Sequence, residues 1–163
     1  MKKLKLIPGF ILLGCAFYLF VIRGLQFIYT DSQSMMPTII PNDRMAAVRV
    51  RGELPGRGSI VNFRFFRNGI EYHIKRVIGL PGDTVEIKNR RLYLNGEPRD
   101  EPYLYEERIV YSFGPAVVPA GHIFVLGDNR NNSFDSSDWG FLPVENVMGE
   151  VVMVYWPYMR LLD

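Results

Sequence analysis

The feature that most constrains this chain is an uncharged apolar run at residues 6–22, "LIPGFILLGCAFYLFVI", which follows a basic start and ends at Arg23. Its length is at the short end of what spans a hydrocarbon core. At 163 residues the chain has room for one domain with a real core, plus such a segment, but not for two independent domains. The sequence therefore predicts one membrane segment followed by one folded domain.

Three interpretations compete for this apolar run. A removable signal peptide also starts with basic residues, but its apolar part is shorter and ends in small residues, whereas Tyr18, Leu19 and Phe20 stand late here. The stretch "LLGC", which ends at Cys15, resembles a lipoprotein cleavage site, yet more apolar residues follow and would open the mature protein. An uncleaved anchor fits the pattern best.

An uncleaved anchor divides the chain into three parts. The positive-inside tendency places a basic tail, residues 1–5, in the cytoplasm. The anchor itself covers residues 6–23. Residues 24–163 are then expected to form an extracytoplasmic domain.

Composition excludes several classes of function. The net charge is +2 and no basic block occurs beyond the first five residues, so nucleic-acid binding has little support. The only cysteine, Cys15, lies in the apolar run, which excludes a disulfide framework and a cysteine zinc site. With His73 and His122 as the only histidines, a metal site would need several carboxylates, and we expect none.

Strand signals dominate after the anchor. Asn68-Gly69 stands between two strand-like runs and predicts a hairpin, and turns are also expected near Asn89 and at Asn95-Gly96. Residues 99–119, rich in charge, Tyr and Pro, are expected to be an irregular excursion or a poorly regular hairpin. The fold class predicted is mostly β, a compact antiparallel sheet or partial barrel. The strand-like runs are "RMAAVRVR", "SIVNFRFF", "IEYHIKRVIG", "TVEIKNRRLYLNGEP", "GHIFVLGD" and "NVMGEVVMVYWP".

Elimination narrows the chemistry to hydroxyl groups and lysine. The domain offers no thiol and no phosphate-binding loop, because "GLPGD" at residues 79–83 joins two strands and is better explained as a tight turn. A serine nucleophile needs a partner to take its proton. Arginine stays protonated, and Lys75 and Lys88 are the only lysines beyond the basic tail. Lys75, in an apolar strand, is either a surface residue with a buried stem or a neutral functional amine.

The acidic loop, residues 127–140, reads "GDNRNNSFDSSDWG". Its carboxylates suggest a calcium loop, but the required Gly and terminal Glu are out of register. A hydrogen-bonded polar loop is the simpler interpretation. A pairing of Asp128 with Arg76 or with Arg130 would hold this loop against the strand that carries Lys75.

Four stretches resemble, in order, the boxes of type I signal peptidases, the membrane-anchored serine-lysine proteases that remove signal peptides. "SQSMMPT" (32–38) is similar to the family's Ser-x-Ser-Met-x-Pro-Thr box, and "RGSIVNF" (57–63) to its Arg-Gly-Asp-Ile-Val strand. "IKRVIGLPGD" (74–83) resembles the lysine box and "GDNRNNSFDS" (127–136) the final box. Four such matches in the right order are specific.

The resemblance implies roles for individual residues. It makes Ser34 the nucleophile and Lys75 the general base. It gives the oxyanion hole to the Ser32 hydroxyl and the Ser34 N–H, and it makes Ser133 the group that orients the Lys75 amine. Met35 and Ile74 are expected to line substrate pockets. The residues expected to support the site through polar contacts are Asp128, Arg76 and Asp135.

The same resemblance implies the wider setting. The expected substrates are secretory preproteins with small-x-small cleavage sites, cut beside the lipid bilayer, with no cofactor, metal or nucleic acid involved. The protein would be a single-pass protein of the bacterial cell (inner) membrane with a cytoplasmic N-terminus.

Three competing classes of protein fit the pattern less well. A self-cleaving repressor of the serine-lysine type needs a DNA-binding head, and here the apolar run occupies that place. A relative that uses His as its base is disfavoured because Lys75 fills the position itself. A membrane-tethered binding module would carry the same boxes only as inherited scaffolding, and the complete set of Ser34, Lys75 and Ser133 argues against inactivity.

Four positions depart from the family pattern. Asp31 replaces a Pro and Gln33 replaces a Gly, both beside the expected substrate groove. Ser137 replaces an Arg, which should remove an ion pair with Asp135 and weaken the support of the acidic loop. Ser59 replaces an Asp at a structural position. The family's large inserted β domain is also missing.

Overall fold

The structure is a computed structural model, and it describes Gly14, residues 24–50 and residues 52–162. The predicted tail (1–5) and anchor (6–23) therefore lie outside the described residues, apart from Gly14. In the part of the chain that is described, no helix has both the length and the apolarity needed to cross a membrane.

The described residues form antiparallel strands with short helical turns between the later ones, as the strand signals predict. A 3-10 turn lies at Arg130–Asn132, a single helical turn (α1) at Ser136–Trp139 and a second 3-10 turn at Val144–Asn146. The strands are β1 Leu25–Tyr29, β2 Arg44–Arg49, β3 Ile60–Phe66, β4 Ile70–Gly79, β5 Thr84–Lys88, β6 Arg91–Leu94, β7 Glu97–Pro98, β8 Phe113–Val117, β9 His122–Leu126, β10 Leu142–Pro143, β11 Val147–Trp156 and β12 Arg160–Leu161.

These strands form two antiparallel sheets. The larger has the order β1-β2-β11-β3-β4-β9-β10, with β12 paired to β11, and the smaller has the order β7-β6-β5-β8. Both faces of β3 are covered, since Ile60 packs with Met35 and Met45 on one side while Val61 and Phe63 pack with the β9 and β10 side chains on the other. A third apolar cluster joins β4 and β9 to the smaller sheet.

The predicted turns are confirmed. Phe66 pairs with Ile70 across the Asn68-Gly69 turn, where Gly69 has a φ of 156°. Asn89 (φ 51°) and Arg90 (φ 66°) link β5 to β6, and Asn95 (φ 56°) with Gly96 links β6 to β7. Two successive residues with positive φ match the twist of a tight hairpin, which explains why Asn and Gly recur there.

The segment predicted as irregular, residues 99–119, is irregular only in its first part. Residues 99–112 contain no strand, whereas β8 that follows pairs with β5. Gly114 (φ 74°) and Pro115 make β8 hard to predict from the sequence, because both residue types weaken a strand. The strand survives because it lies at the edge of the smaller sheet, where proline is tolerated.

Two unpaired strand edges flank a long depression, the main groove. β1 pairs only with β2 among the described strands, and residues 70–75 of β4 pair only with β3, because β9 joins β4 from Arg76 onward. Both edges line the main groove, which has a volume of about 1180 Å³. The fold therefore leaves backbone amide and carbonyl groups available along both walls.

Candidate active site

Lys75 lies in the middle of β4 and is buried, with 3% of its surface exposed. Burial lowers the pKa of its ammonium from 10.5 to about 8, because desolvation disfavours the charged form. The negative charges of Asp135, Asp128 and Asp138 oppose this effect without cancelling it. Burial therefore makes the neutral amine more accessible for Lys75 than for an exposed lysine.

Ser34 lies in a turn of the loop, residues 30–43, that joins β1 to β2, and hydrogen bonds to the backbone of this turn hold it in place. The N–H of Asn129 donates to the carbonyl of Ser34 at 3.0 Å, and its side-chain amide donates to the carbonyl of Gln33 at 3.2 Å. The next residue, Met35, is buried in the core. The turn is thus fixed from both sides, and the Ser34 hydroxyl has a defined position.

Lys75 and Ser34 both line the main groove and are in direct contact. The Lys75 Nζ lies 2.6 Å from the Ser34 Oγ, which is within reach for direct proton transfer. Ser32 lies beside them, with its Oγ 3.1 Å from the Ser34 Oγ, and it accepts a hydrogen bond from the Ser34 N–H at 3.2 Å. The structure therefore brings together three of the residues that the sequence predicts for one site.

Asp128 and Arg76 form a buried, bidentate ion pair beside the site. Arg76 Nε lies 2.9 Å from Asp128 Oδ1, and its Nη2 lies 2.7 Å from Oδ2. Thr38 donates to the same carboxylate at 2.5 Å. Of the two pairings considered from sequence, Asp128 takes Arg76, while Arg130 pairs with Glu101 instead.

Asp135 caps α1 and accepts several hydrogen bonds. These include bonds from Ser137, the residue that was expected to remove an ion pair with Asp135. Its carboxylate accepts from the N–H of Gly127 at 3.0 Å and from both the N–H and the hydroxyl of Ser137, at 3.1 and 2.8 Å. Asp138 completes a capping box by accepting from the Asp135 N–H. Ser137 thus supports this turn by hydrogen bonding, in place of the family's arginine.

Ser133 shares a smaller opening, the side cleft, with Ser32, Ser34 and Lys75. Its Oγ is buried and has no hydrogen-bond partner among the described residues, so the predicted contact with Lys75 is not formed in this structure. Ser133 and Ser34 both lie close to Gly127. A Cβ added at Gly127 would lie 2.3 Å from the Ser133 Oγ and 2.4 Å from the Ser34 carbonyl oxygen, so this position has room only for glycine.

Met35 and Ile74, predicted to line substrate pockets, both line the main groove. Ile28 of β1 lies on the opposite wall and packs with the same apolar cluster. His73 also lines both openings; its ring stacks on Phe63, with centroids 5.8 Å apart. The groove therefore combines an apolar floor with a polar end at Ser34.

One of the departures, Ser59, and the "GLPGD" stretch make structural contacts. Ser59 donates a short hydrogen bond to Glu150, in keeping with a structural position. "GLPGD" forms the expected turn, in which the Asp83 carboxylate accepts from the Leu80 N–H at 2.7 Å and pairs with Arg57. Among the described residues, no group of three or more His, Cys, Asp or Glu side chains lies close enough together to hold a metal ion.

Sequence reasoning missed several groups that hold the site. Thr38 stands inside the "SQSMMPT" stretch and Asn129 inside the acidic loop, so both were visible as polar residues beside predicted ones. Glu101 and Tyr103 lie in the irregular 99–112 segment, where no pattern predicts which side chains turn inward. Glu101 reaches the acidic loop, and Tyr103 reaches β4.

Comparison with known proteins supports the resemblance. The family model described as signal peptidase, peptidase S26, matches residues 3–156. Signal peptidase I of Leptolyngbya laminosa is 42% identical over 142 residues, covering 82% of this chain and 70% of that protein. A probable signal peptidase I-2 of Synechocystis is also 42% identical, over 139 residues, covering 81% of this chain and 63% of that protein.

The fold has a solved counterpart. The crystal structure of a signal peptidase I from Enterococcus faecalis is 37% identical and has a TM-score of 0.53, and the match covers 60% of this chain and 97% of that one. The family model covers most of the chain, and the structural match covers 60% of it. This chain therefore belongs to the signal peptidase family, peptidase S26.

Proposed function

We propose that this chain is a serine endopeptidase that removes signal peptides from secretory preproteins, with Ser34 as nucleophile and Lys75 as general base. The observation that carries the proposal is the 2.6 Å approach of Lys75 Nζ to Ser34 Oγ at a buried position. A neutral amine is the form able to accept the Ser34 proton, and burial favours that form.

In the first step, the Ser34 hydroxyl donates its proton to the Lys75 amine while its Oγ attacks the scissile carbonyl. The carbonyl oxygen becomes an oxyanion and Lys75 becomes an ammonium. Lys75 then gives this proton to the leaving nitrogen, the C–N bond breaks and an ester joins the acyl group to Ser34. A water then attacks this ester and transfers a proton to Lys75. The ester C–O bond breaks, Lys75 returns that proton to the Ser34 Oγ, and the acid leaves with both residues restored.

The oxyanion needs donors that are already in place. The Ser34 N–H and the Ser32 hydroxyl lie side by side, and in the free protein the N–H donates to Ser32 Oγ at 3.2 Å. Rotation of the Ser32 side chain away from this N–H, with its hydroxyl hydrogen turned toward a bound carbonyl, would make both donors available to the oxyanion. Each such donor contributes on the order of 3 kcal/mol to lowering the barrier.

Further residues support the dyad in this proposal. Arg76 and Asp128 hold the acidic loop against β4 through their buried pair. Asp135 fixes the next turn and adds negative charge near Lys75. Ser133 has an unused hydroxyl in the side cleft that Lys75 also lines, and a hydrogen bond between the two would orient the amine lone pair at the nucleophile.

The main groove suits an extended peptide with small side chains near the cut. The unpaired edges of β1 and β4 offer backbone hydrogen bonds on both sides, in the manner of strand addition. Met35 and Ile74 close the floor near Ser34, which leaves shallow space for small-x-small sites. Asp31 and Gln33 are exposed on either side of Ser32, and we expect them to alter the preference of this enzyme.

The topology belongs to the same proposal. Residues 1–5 would form a cytoplasmic tail, residues 6–23 a single anchor in the bacterial cell (inner) membrane and residues 24–163 the extracytoplasmic catalytic domain. The basic start and the uncharged run support this arrangement. It would bring the catalytic turn close to the lipid bilayer, where the cleavage site of a translocated preprotein emerges.

Incubation of the purified protein with a secretory preprotein, followed by sequencing of the new N-terminus, tests this function. We expect a single cut after a small-x-small site in the wild type and none with Ser34→Ala or Lys75→Ala. Lys88→Ala is the matched control, because Lys88 is exposed on β5 and bonds only to Glu86 among the described carboxylates. Undiminished cleavage by Lys75→Ala would refute the assigned base.

A further inference from the structure

The 99–112 segment contains no strand, yet it contacts both the acidic loop and β4 beside the catalytic site. It begins on β6, where the Arg99 N–H donates to the carbonyl of Leu92, and near its end it reaches the core with the buried Ile109. Between these points it places three residues on the groups that hold the catalytic serine and lysine. They are Glu101, Tyr103 and Tyr105.

Glu101 forms a buried ion pair with Arg130 of the acidic loop. Both carboxylate oxygens take part, with Arg130 Nη1 2.8 Å from Oε2 and Nη2 2.5 Å from Oε1. The two side chains are 5% and 1% exposed. Paired donors and acceptors of this kind fix direction as well as distance, so Arg130 is held in one orientation.

Arg130 in turn fixes the backbone at the start of the acidic loop, which contacts the nucleophile Ser34. Its Nε donates to the carbonyl of Gly127 at 3.1 Å. Gly127 is in close contact with the Ser34 carbonyl, and that same carbonyl accepts from the N–H of Asn129 at 3.0 Å. The contacts therefore run without a gap from Glu101, through Arg130 and the start of the acidic loop, to Ser34.

The next residues of the segment contact the strand that carries the base. The Tyr103 hydroxyl donates to Glu101 at 2.8 Å, and its ring lies under the Arg76 guanidinium at 4.0 Å. The Tyr105 N–H donates to the carbonyl of Asp128 at 3.1 Å. Arg76 directly follows the catalytic lysine, so one short segment touches the neighbours of both reacting residues.

We propose that Glu101 is a positioning residue for the catalytic serine, acting through Arg130 on the backbone of Gly127 and Asn129. This inference rests on the proposed peptidase function. Glu101 touches neither substrate nor reacting atoms, and its role is to keep Ser34 at the distance from the lysine amine that proton transfer needs. A displacement of about 1 Å in such a group costs on the order of 100-fold in rate.

The test uses the full-length protein and a purified preprotein. Glu101→Gln keeps the shape of the side chain and removes its charge. We expect kcat to fall on the order of tenfold to 100-fold with little change in KM, because the groove that binds substrate is untouched. Glu107→Gln is the matched control, since it makes the same change at an exposed position of the same segment and should leave kcat unchanged.

A double variant separates positioning from folding. Glu101→Leu with Arg130→Met replaces the buried pair by apolar side chains, a change that proteins often tolerate without loss of stability. We expect this variant to melt near the wild-type temperature and still to show the low kcat. Glu101→Asp, which keeps the charge, should recover part of the rate.

The outcomes are distinct. A wild-type kcat in the folded double variant, or in Glu101→Gln, would overturn the positioning role while leaving the peptidase function intact. A fall in kcat that follows only the melting temperature across the variants would also overturn it. Failure of the wild type itself to cut the preprotein would instead overturn the proposed function, and the positioning role with it.

Discussion

The Nζ of Lys75 lies 2.6 Å from the Oγ of Ser34, and the lysine that makes this contact is almost completely buried. The two facts depend on each other. Burial makes the amine a base at moderate pH, and the short distance gives that base a proton to take. The activity and the stability of the protein should therefore both respond to changes in this pair and in the contacts that hold it.

The rate of cleavage should depend on the protonation of Lys75. Its pKa is lowered to about 8 by burial, so below that pH the ammonium predominates and no lone pair is available. We expect kcat/KM to fall about tenfold per pH unit on the acidic side of that value. Initial rates on a peptide substrate check this, and a rate that is independent of pH there would contradict it. Lys88→Ala should leave the profile unchanged.

Lys75 should also lower the stability of the fold at neutral pH. Because its pKa is 10.5 when unfolded and about 8 when folded, the unfolded state binds the extra proton between these values. The free energy of unfolding therefore rises with pH across that window and is reduced below it, by about 3 kcal/mol at most. Lys75→Met should remove this rise and be more stable than wild type at neutral pH. Denaturant melts at several pH values measure the difference.

The ion pair of Arg76 and Asp128 should be costly to break. Both side chains are buried, so Asp128→Asn removes the negative charge from an ion pair that water does not screen. We expect the free energy of unfolding to fall by about 3 kcal/mol or more. Glu86→Gln, which breaks the more exposed pair with Lys88, should cost about 1 kcal/mol or less. Equal losses in the two variants would argue against the buried pair as a support of the site.

Gly127 should not tolerate a side chain. An added Cβ would come within 2.4 Å of the Ser34 carbonyl oxygen, which is backbone and has no rotamer to change. Gly127→Ala is therefore expected to displace the catalytic turn and to lower kcat on the order of 100-fold. Gly56→Ala is the control, because its Cβ meets only the Ser59 hydroxyl, at 3.3 Å. Wild-type kinetics for Gly127→Ala would show that the turn can shift freely.

Local turn chemistry makes much of the fold predictable. Asn68-Gly69 and Asn95-Gly96 specify tight turns by themselves, so the hairpins on either side follow from short stretches of sequence. β1 escapes prediction because "LQFIY" is short and lies close behind the apolar run, with only Arg23 and Gly24 between them. β8 escapes it because Gly114 and Pro115 interrupt its pattern.

The site is predictable where residue types are unusual and less so where geometry decides. Lys75 stands out as one of two lysines in an arginine-rich domain, but strand alternation does not settle its burial, since both faces of β4 are covered here. The sequence leaves the partner of Asp128 open between Arg76 and Arg130, because that choice depends on Glu101, far along the chain. Contacts of this range leave no local pattern in a sequence.

The unpaired edges of β1 and β4 would let one bound chain extend the sheet on both of its own sides. The groups that hold it would then be amides and carbonyls, which every polypeptide possesses. The side chains of the bound chain would affect binding only at the few positions that face Met35 and Ile74. Such a groove would select substrates first by conformation, because an unfolded stretch can bind as a strand and a folded one cannot. A preprotein whose mature domain folds early would therefore protect its own cleavage site.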